Sequence, residues 1–229
     1  MKRVPGFLTF LVVCSLPLSF LSCNNGYETK DDKTVMASQP TKILLVQHKV
    51  ADFAKWKAGY LAHDSMRMAA GLSQFRLARG IDDSNMVVVM NIMQDLKKAK
   101  DFGASDDLKK AMKDAGVVDT PKADFLQMVR GDTSMVPQME RLMVAHKVKD
   151  YGVWLKAFDA EGTATRASFG LMDKAIGRGI EDSNMVYVIF AVTDIAKAKA
   201  RAQSPELKKI MDDGGVEGIP SALFYRLVK

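Results

Sequence analysis

The chain states one domain twice, and no other feature constrains its fold as much. Residues 43–129 read against residues 142–228. His48-Lys49-Val50 is answered by His146-Lys147-Val148, and Asp52 and Trp56 by Asp150 and Trp154, 98 positions on. The stretch from Arg79-Gly80-Ile81 to Asn85-Met86-Val87 is answered by Arg178-Gly179-Ile180 to Asn184-Met185-Val186, 99 positions on. The offset changes once, so one copy holds a single extra residue, placed near 161–166. The period exceeds the ~20–50 residues of solenoid and propeller units. It specifies two domains of about 90 residues, each just large enough to bury a core and expected to pack on the other.

Local patterns within the first copy order its elements. Residues 42–50 are apolar and rich in branched side chains, which predicts a strand. Asp52 can cap a following helix by accepting from free backbone N–H groups. Phe53, Trp56, Tyr60, His63 and Arg67 then fall on one helical stripe, and Gly71 ends that helix. Residues 72–79 and 86–93 read as two strands joined by the turn Asp82-Asp83-Ser84-Asn85. Asp95 caps a second helical stretch, broken before 106–115, and residues 122–129 form the last strand. In the second copy Ser204-Pro205-Glu206 is a full helix start, with cap, proline and acid in order.

The resulting order, β-α-β-β-α-β, is the ferredoxin-like pattern. Its antiparallel sheet is covered by helices on one face, so the other face needs a partner. Residues 86–93 are apolar on both parities, as a strand buried on both faces should be. The expected architecture is α+β: two tandem ferredoxin-like domains, 41–130 and 139–229, joined by a linker over 131–138 and packed sheet to sheet as one barrel. The motif His-Lys-Val-x-Asp-(Phe/Tyr)-x-x-Trp, the hairpin Asp-x-Asn-Met-Val and the late Leu-Lys-Lys-x-Met-x-x-(Ala/Gly)-Gly-Val resemble the dimeric α+β barrel superfamily. Within it they are most similar to the cyclase-like and antibiotic biosynthesis monooxygenase-like small domains. The resemblance implies a barrel usually made by two chains, here supplied within one, and a ligand cavity between helices and sheet. It does not imply one activity, because that fold carries monooxygenases, isomerases and haem-degrading enzymes.

The first residues read as an address. Lys2 and Arg3 precede an apolar run over 7–21, short of the ~20 residues a membrane span needs. Leu21-Ser22-Cys23 resembles a bacterial lipoprotein signal. The expectation is a signal peptide over 1–22, a lipidated Cys23 anchoring the protein to a membrane of the cell envelope, and a polar tether through residue 40. Cys14 and Cys23 are the chain's two cysteines, so the domains hold no thiol for disulfides, zinc or nucleophilic catalysis. The formal charge of +6 is spread over alternating basic and acidic residues, which excludes a nucleic-acid footprint.

Candidate chemistry rests on few side chains. His48 and His146 share strand parity with apolar neighbours; they are either acid/base groups aimed into a pocket or structural histidines bonded to backbone. Trp56, Tyr60, Trp154 and Phe158 are either core or pocket wall. His63 joins them in the first copy, with Glu161 as its counterpart; Arg67 and Arg166 could hold an anionic group. Asn91, with Ala191 set against it, completes the set. Arg79 and Arg178 are expected to salt-bridge to Asp82 and Glu181. The histidine spacing excludes a strong metal site, and no nucleotide loop or Gly-x-Ser-x-Gly elbow occurs, so neither metal nor cofactor is expected. Three functions fit: a binding module for a small apolar or aromatic molecule; a cofactor-independent monooxygenase or cyclase with His48 as acid/base; and a structural protein of the envelope, which would have no internal pocket.

Overall fold

The computed structural model describes residues 40–228. The expected signal, Cys23 and nearly all of the tether lie outside the described residues. The first half comprises β1 (Lys42–Lys49), α1 (Phe53–Ala62), α2 (Asp64–Ala69), β2 (Leu72–Gly80), β3 (Met86–Met93), α3 (Leu96–Ala104), α4 (Asp106–Ala115) and β4 (Lys122–Gly131). The second comprises β5 (Glu140–Val148), α5 (Tyr151–Glu161), α6 (Thr163–Ser168), β6 (Leu171–Gly179), β7 (Met185–Val192), α7 (Ile195–Ala202), α8 (Pro205–Asp213) and β8 (Val216–Leu227).

The strands close into one antiparallel barrel in the order β1-β3-β2-β8-β5-β7-β6-β4. Each half contributes a ferredoxin-like sheet. The halves join at both edges, where Arg79 of β2 pairs with Arg226 of β8 and Gln127 of β4 with Arg178 of β6. Closure leaves no free sheet edge, which a lone domain of this kind would expose. An eight-stranded barrel has an interior that side chains can fill. Here Leu45, Met90, Met143, Tyr187 and Tyr225 from both halves fill it. Alternation along β1 then decides the rest: Ile43 and Leu45 belong to that interior, while Leu44, Val46 and His48 face the helices.

Helix starts follow the sequence. Asp52 accepts from Lys55 N at 2.7 Å and Asp150 from Val153 N at 2.8 Å. Asp95, Asp194, Ser105 and Ser204 cap the remaining long helices in the same way. Gly80 and Gly179 end their strands where any Cβ would strike the carbonyl oxygen of Asp83 or Asp182. The halves are also tied by charge: Asp82 pairs with Lys199 at 2.7 Å, and Glu181 with Lys100. These are exposed pairs worth little individually.

Three expectations need correction. The helix read as continuous from Asp52 to Gly71 breaks at His63, whose ψ of 21° departs from α geometry. In the second half the break falls at Gly162, the extra residue, at φ 81° and ψ 149°. Arg79 and Arg178 make no salt bridge to Asp82 or Glu181. Arg79 donates through Nε to the Ser84 carbonyl at 2.7 Å and lies 4.1 Å over the Phe53 ring; Arg178 does the same to Ser183 and Tyr151. A guanidinium on an aromatic face with a hairpin carbonyl at its edge keeps its charge in water and its stem packed. Finally, Asn91 is opposed by Phe190, not Ala191: Asn91 faces Leu44 on β1, and Phe190 faces Leu142 on β5.

Candidate functional site

Each half encloses a cavity between its helices and the outer face of its sheet. The cavity of the first half is about 370 Å³ and that of the second about 240 Å³. Their apolar walls come from strand parity and helix stripe together. Leu44, Val46 and Val89 line the first cavity from the sheet; Leu142, Val144 and Val188 line the second.

Trp56, Tyr60, His63 and Arg67 of the stripe reach the first cavity despite the break in the helix, while Phe53 at its start lies under Arg79 instead. Trp56 stacks on Tyr60 at 5.0 Å and 18° and lies tilted on His48 at 5.3 Å. Trp154 stacks on Phe158 at 5.3 Å and 25° and lies tilted on His146 at 5.5 Å. Such offset aromatic contacts add about 0.5–1.5 kcal/mol beyond burial. The Tyr60 hydroxyl donates to Asn91 Oδ1 at 3.3 Å. His63 Nδ1 is 2.7 Å from the Gly59 carbonyl; since a carbonyl only accepts, Nδ1 holds the proton there.

Among the described residues, the two strand histidines are the side chains with two buried polar atoms unpartnered. His48 is 5% exposed and His146 7%, and neither ring nitrogen of either has a hydrogen-bond partner in the protein. The reading of a structural histidine bonded to backbone is therefore overturned. Burial pushes both imidazoles down to about 4, with Asp119 opposing this weakly at His48. Both are neutral at pH 7, each presenting one donor and one acceptor to its cavity. A buried polar group without a partner costs about 1–3 kcal/mol, so its retention asks for a reason.

The arginines differ between halves. Arg166, buried, donates Nε and Nη2 to the two carboxylate oxygens of Asp173 at 2.8 and 2.6 Å, and Nη1 to the Phe158 carbonyl at 2.7 Å. Glu161, half-buried as a residue but with its side chain only 7% exposed, accepts from Arg201 at 2.8 Å and from Arg166 at 3.4 Å. Arg67 donates Nη1 to the Tyr60 carbonyl and Nη2 to Asp64 at 2.8 Å, while its Nε is buried without a partner. Sequence reasoning missed Asp173 and Arg201. Their signal was available: they stand opposite Gln74 and Phe102, where the copies disagree in charge. Among the described residues no cluster of three or more His, Cys, Asp or Glu side chains could hold a metal ion.

No family model matches the chain, and no curated protein matches it. Solved structures do. A Lactobacillus acidophilus protein named "putative monooxygenase" aligns at 15% identity over 83% of this chain and 94% of its own, with a TM-score of 0.52. A Fusobacterium nucleatum protein of the same description aligns at 11% over 84% and 94%, TM-score 0.54. A protein named "anthrone oxidase-like" aligns at 14% over 84% and 93%, TM-score 0.55. At such identities the likeness is one of fold. The chain shares the fold of these proteins, an eight-stranded antiparallel barrel built here from two ferredoxin-like halves in one polypeptide.

Proposed function

We propose that the protein binds small apolar or aromatic molecules in its two helix–sheet cavities. One observation carries this reading: in each half a buried histidine with no partner of its own looks into an open, aromatic-walled space. A ligand with a flat apolar body and a hydroxyl or carbonyl would bury its surface on Trp56 or Trp154 and satisfy the imidazole, which recovers the cost of leaving that group unpaired. A structural role alone predicts no internal cavity and leaves both histidines unexplained.

The test is calorimetric titration with 2-naphthalenemethanol, read beside thermal denaturation. Binding with a raised Tm is expected. Gly103 and Ala202 line the two cavities, and a Cβ at Gly103 meets open space. Gly103→Leu with Ala202→Phe should therefore abolish binding while the fold is kept. No heat and no Tm shift across a panel of one- to three-ring aromatics would end this reading.

A catalytic role in the same cavities is the second reading, favoured by the neutral imidazoles and by the name of one structural neighbour. His48 would accept a proton from an acidic C–H or O–H, leaving a carbanion or enolate for attack on dioxygen. Anthrone is the probe: oxygen uptake and quinone absorbance above the buffer rate, lost in His48→Leu/His146→Leu, support it. A rate equal to buffer removes catalysis and leaves binding standing. We further propose that Cys23 carries a lipid that holds the barrel at a membrane of the envelope; mass spectrometry of the native N-terminus tests that assignment.

A further inference from the structure

The two cavities differ in electrostatics, and the difference points to different ligands. In the second half the buried charges close on themselves. Arg166 and Arg201 are 4% and 7% exposed, and they are met by Asp173 and Glu161, with every hydrogen-bonding nitrogen of Arg166 engaged. Two cations against two carboxylates leave no charge for a ligand to answer. The equivalent positions in the first half are Arg67, Phe102, Gln74 and His63, so both carboxylates and one arginine are gone.

Arg67 remains 5% exposed, and its one carboxylate partner among the described residues, Asp64, has half of its side chain in solvent. Water screens that carboxylate on its outer side, so it compensates the guanidinium less well than a buried partner would. Lys109 also lines this cavity, held by Asp106 at 2.8 Å outside, and no carboxylate lies on the wall. The guanidinium covers the Tyr60 ring at 3.7 Å, which fixes its plane beside the aromatic wall. Arg67 Nε is buried without a partner, as Arg201 Nε is in the second half, but Arg201 has the buried side chain of Glu161 against its charge and Arg67 has no such carboxylate. A planar carboxylate suits a guanidinium better than any neutral group.

Resting on the binding role above, we propose that the cavity of the first half is an aromatic-acid site, in which Arg67 receives the carboxylate and Trp56 and Tyr60 take the ring, while the cavity of the second half takes neutral molecules. The experiment is calorimetry on the full barrel with a matched pair, 2-naphthoic acid and 2-naphthalenemethanol. The acid should bind once per chain and the alcohol twice. Gly103→Leu should remove acid binding and Ala202→Phe should spare it. Arg67→Gln should weaken the acid about tenfold or more, the worth of one charged hydrogen bond, with the alcohol unchanged. Gln74→Asp, which restores the carboxylate of the second half without deleting anything, should weaken the acid similarly and keeps the test open if Arg67→Gln fails to fold. Acid that binds no better than alcohol in the first cavity, or that responds to Ala202→Phe, overturns the proposal while leaving small-molecule binding intact. Failure of both ligands together with the whole panel of one- to three-ring aromatics overturns the binding role itself.

Discussion

The second cavity of this barrel has its arginine charges matched by carboxylates and the first does not. Both halves build the same aromatic wall, Trp56-Tyr60 and Trp154-Phe158, and set the same buried histidine behind it. They part where charge is concerned. Arg166 sits in a network with Asp173, Glu161 and Arg201, in which two carboxylates meet two guanidiniums, whereas Arg67 has one half-exposed carboxylate. Shared features are what the barrel needs from each half, because both halves pack their helices on equivalent sheets. The three exchanges that change charge, His63 for Glu161, Gln74 for Asp173 and Phe102 for Arg201, all fall in the network around Arg166.

The largest way to break the comparison is to open the closed network. Glu161→Gln leaves Arg201 buried without its carboxylate and should cost about 3–5 kcal/mol in urea unfolding. Asp64→Asn in the first half, removing an exposed partner, should cost no more than about 1 kcal/mol. Equal losses would mean that the second network is no more buried in solution than the first.

Acid sharpens the shared part. Both strand histidines are held at about 4 against an ordinary 6.5. Between those values the unfolded chain binds protons that the folded chain refuses. Their contribution to stability is therefore constant above pH 6.5 and falls as pH drops from there to about 4. The fall is on the order of 3 kcal/mol per histidine. His48→Leu and His146→Leu should each flatten about half of that slope. A curve already flat in the wild type would show the imidazoles to be solvated.

The smallest expected effect falls on the one-residue difference between the copies. Gly162 holds φ 81° and ψ 149°, a region essentially restricted to glycine, and a Cβ there meets nothing within 4 Å. Gly162→Ala should cost about 1–3 kcal/mol through backbone strain alone. The first half makes the corresponding break at His63 without a glycine, so His63→Ala should stay within about 1 kcal/mol. A cost below 0.5 kcal/mol for Gly162→Ala (about the scatter of a neutral surface change) would mean that the hinge relaxes freely.

Much of this molecule was legible before its structure. The repeat gave the two halves, the alternation of Leu44, Val46 and His48 put them on one shared face without saying which, and Asp52, Asp150 and Ser204 marked helix starts because capping is a local interaction. The break at His63 was hidden, since a slightly wrong ψ leaves the helical stripe intact. Phe190 was displaced by one position to Ala191, an error that flips a side chain to the opposite face of a strand. The Arg79 and Arg178 contacts were misread because a neighbouring acid in sequence is no guide to which partner a hairpin presents.

What the sequence determined by itself is the element order, the internal duplication and the aromatic stripes, all set by interactions within a few residues or by copying. What only the tertiary structure decided is closure and charge. Closure depends on β2 meeting β8 and β4 meeting β6, more than 40 residues apart in the nearer case. Charge balance depends on Glu161 meeting Arg201 across 40 positions. Two side chains that far apart in the chain become partners only when burial has removed the water that would otherwise serve each of them.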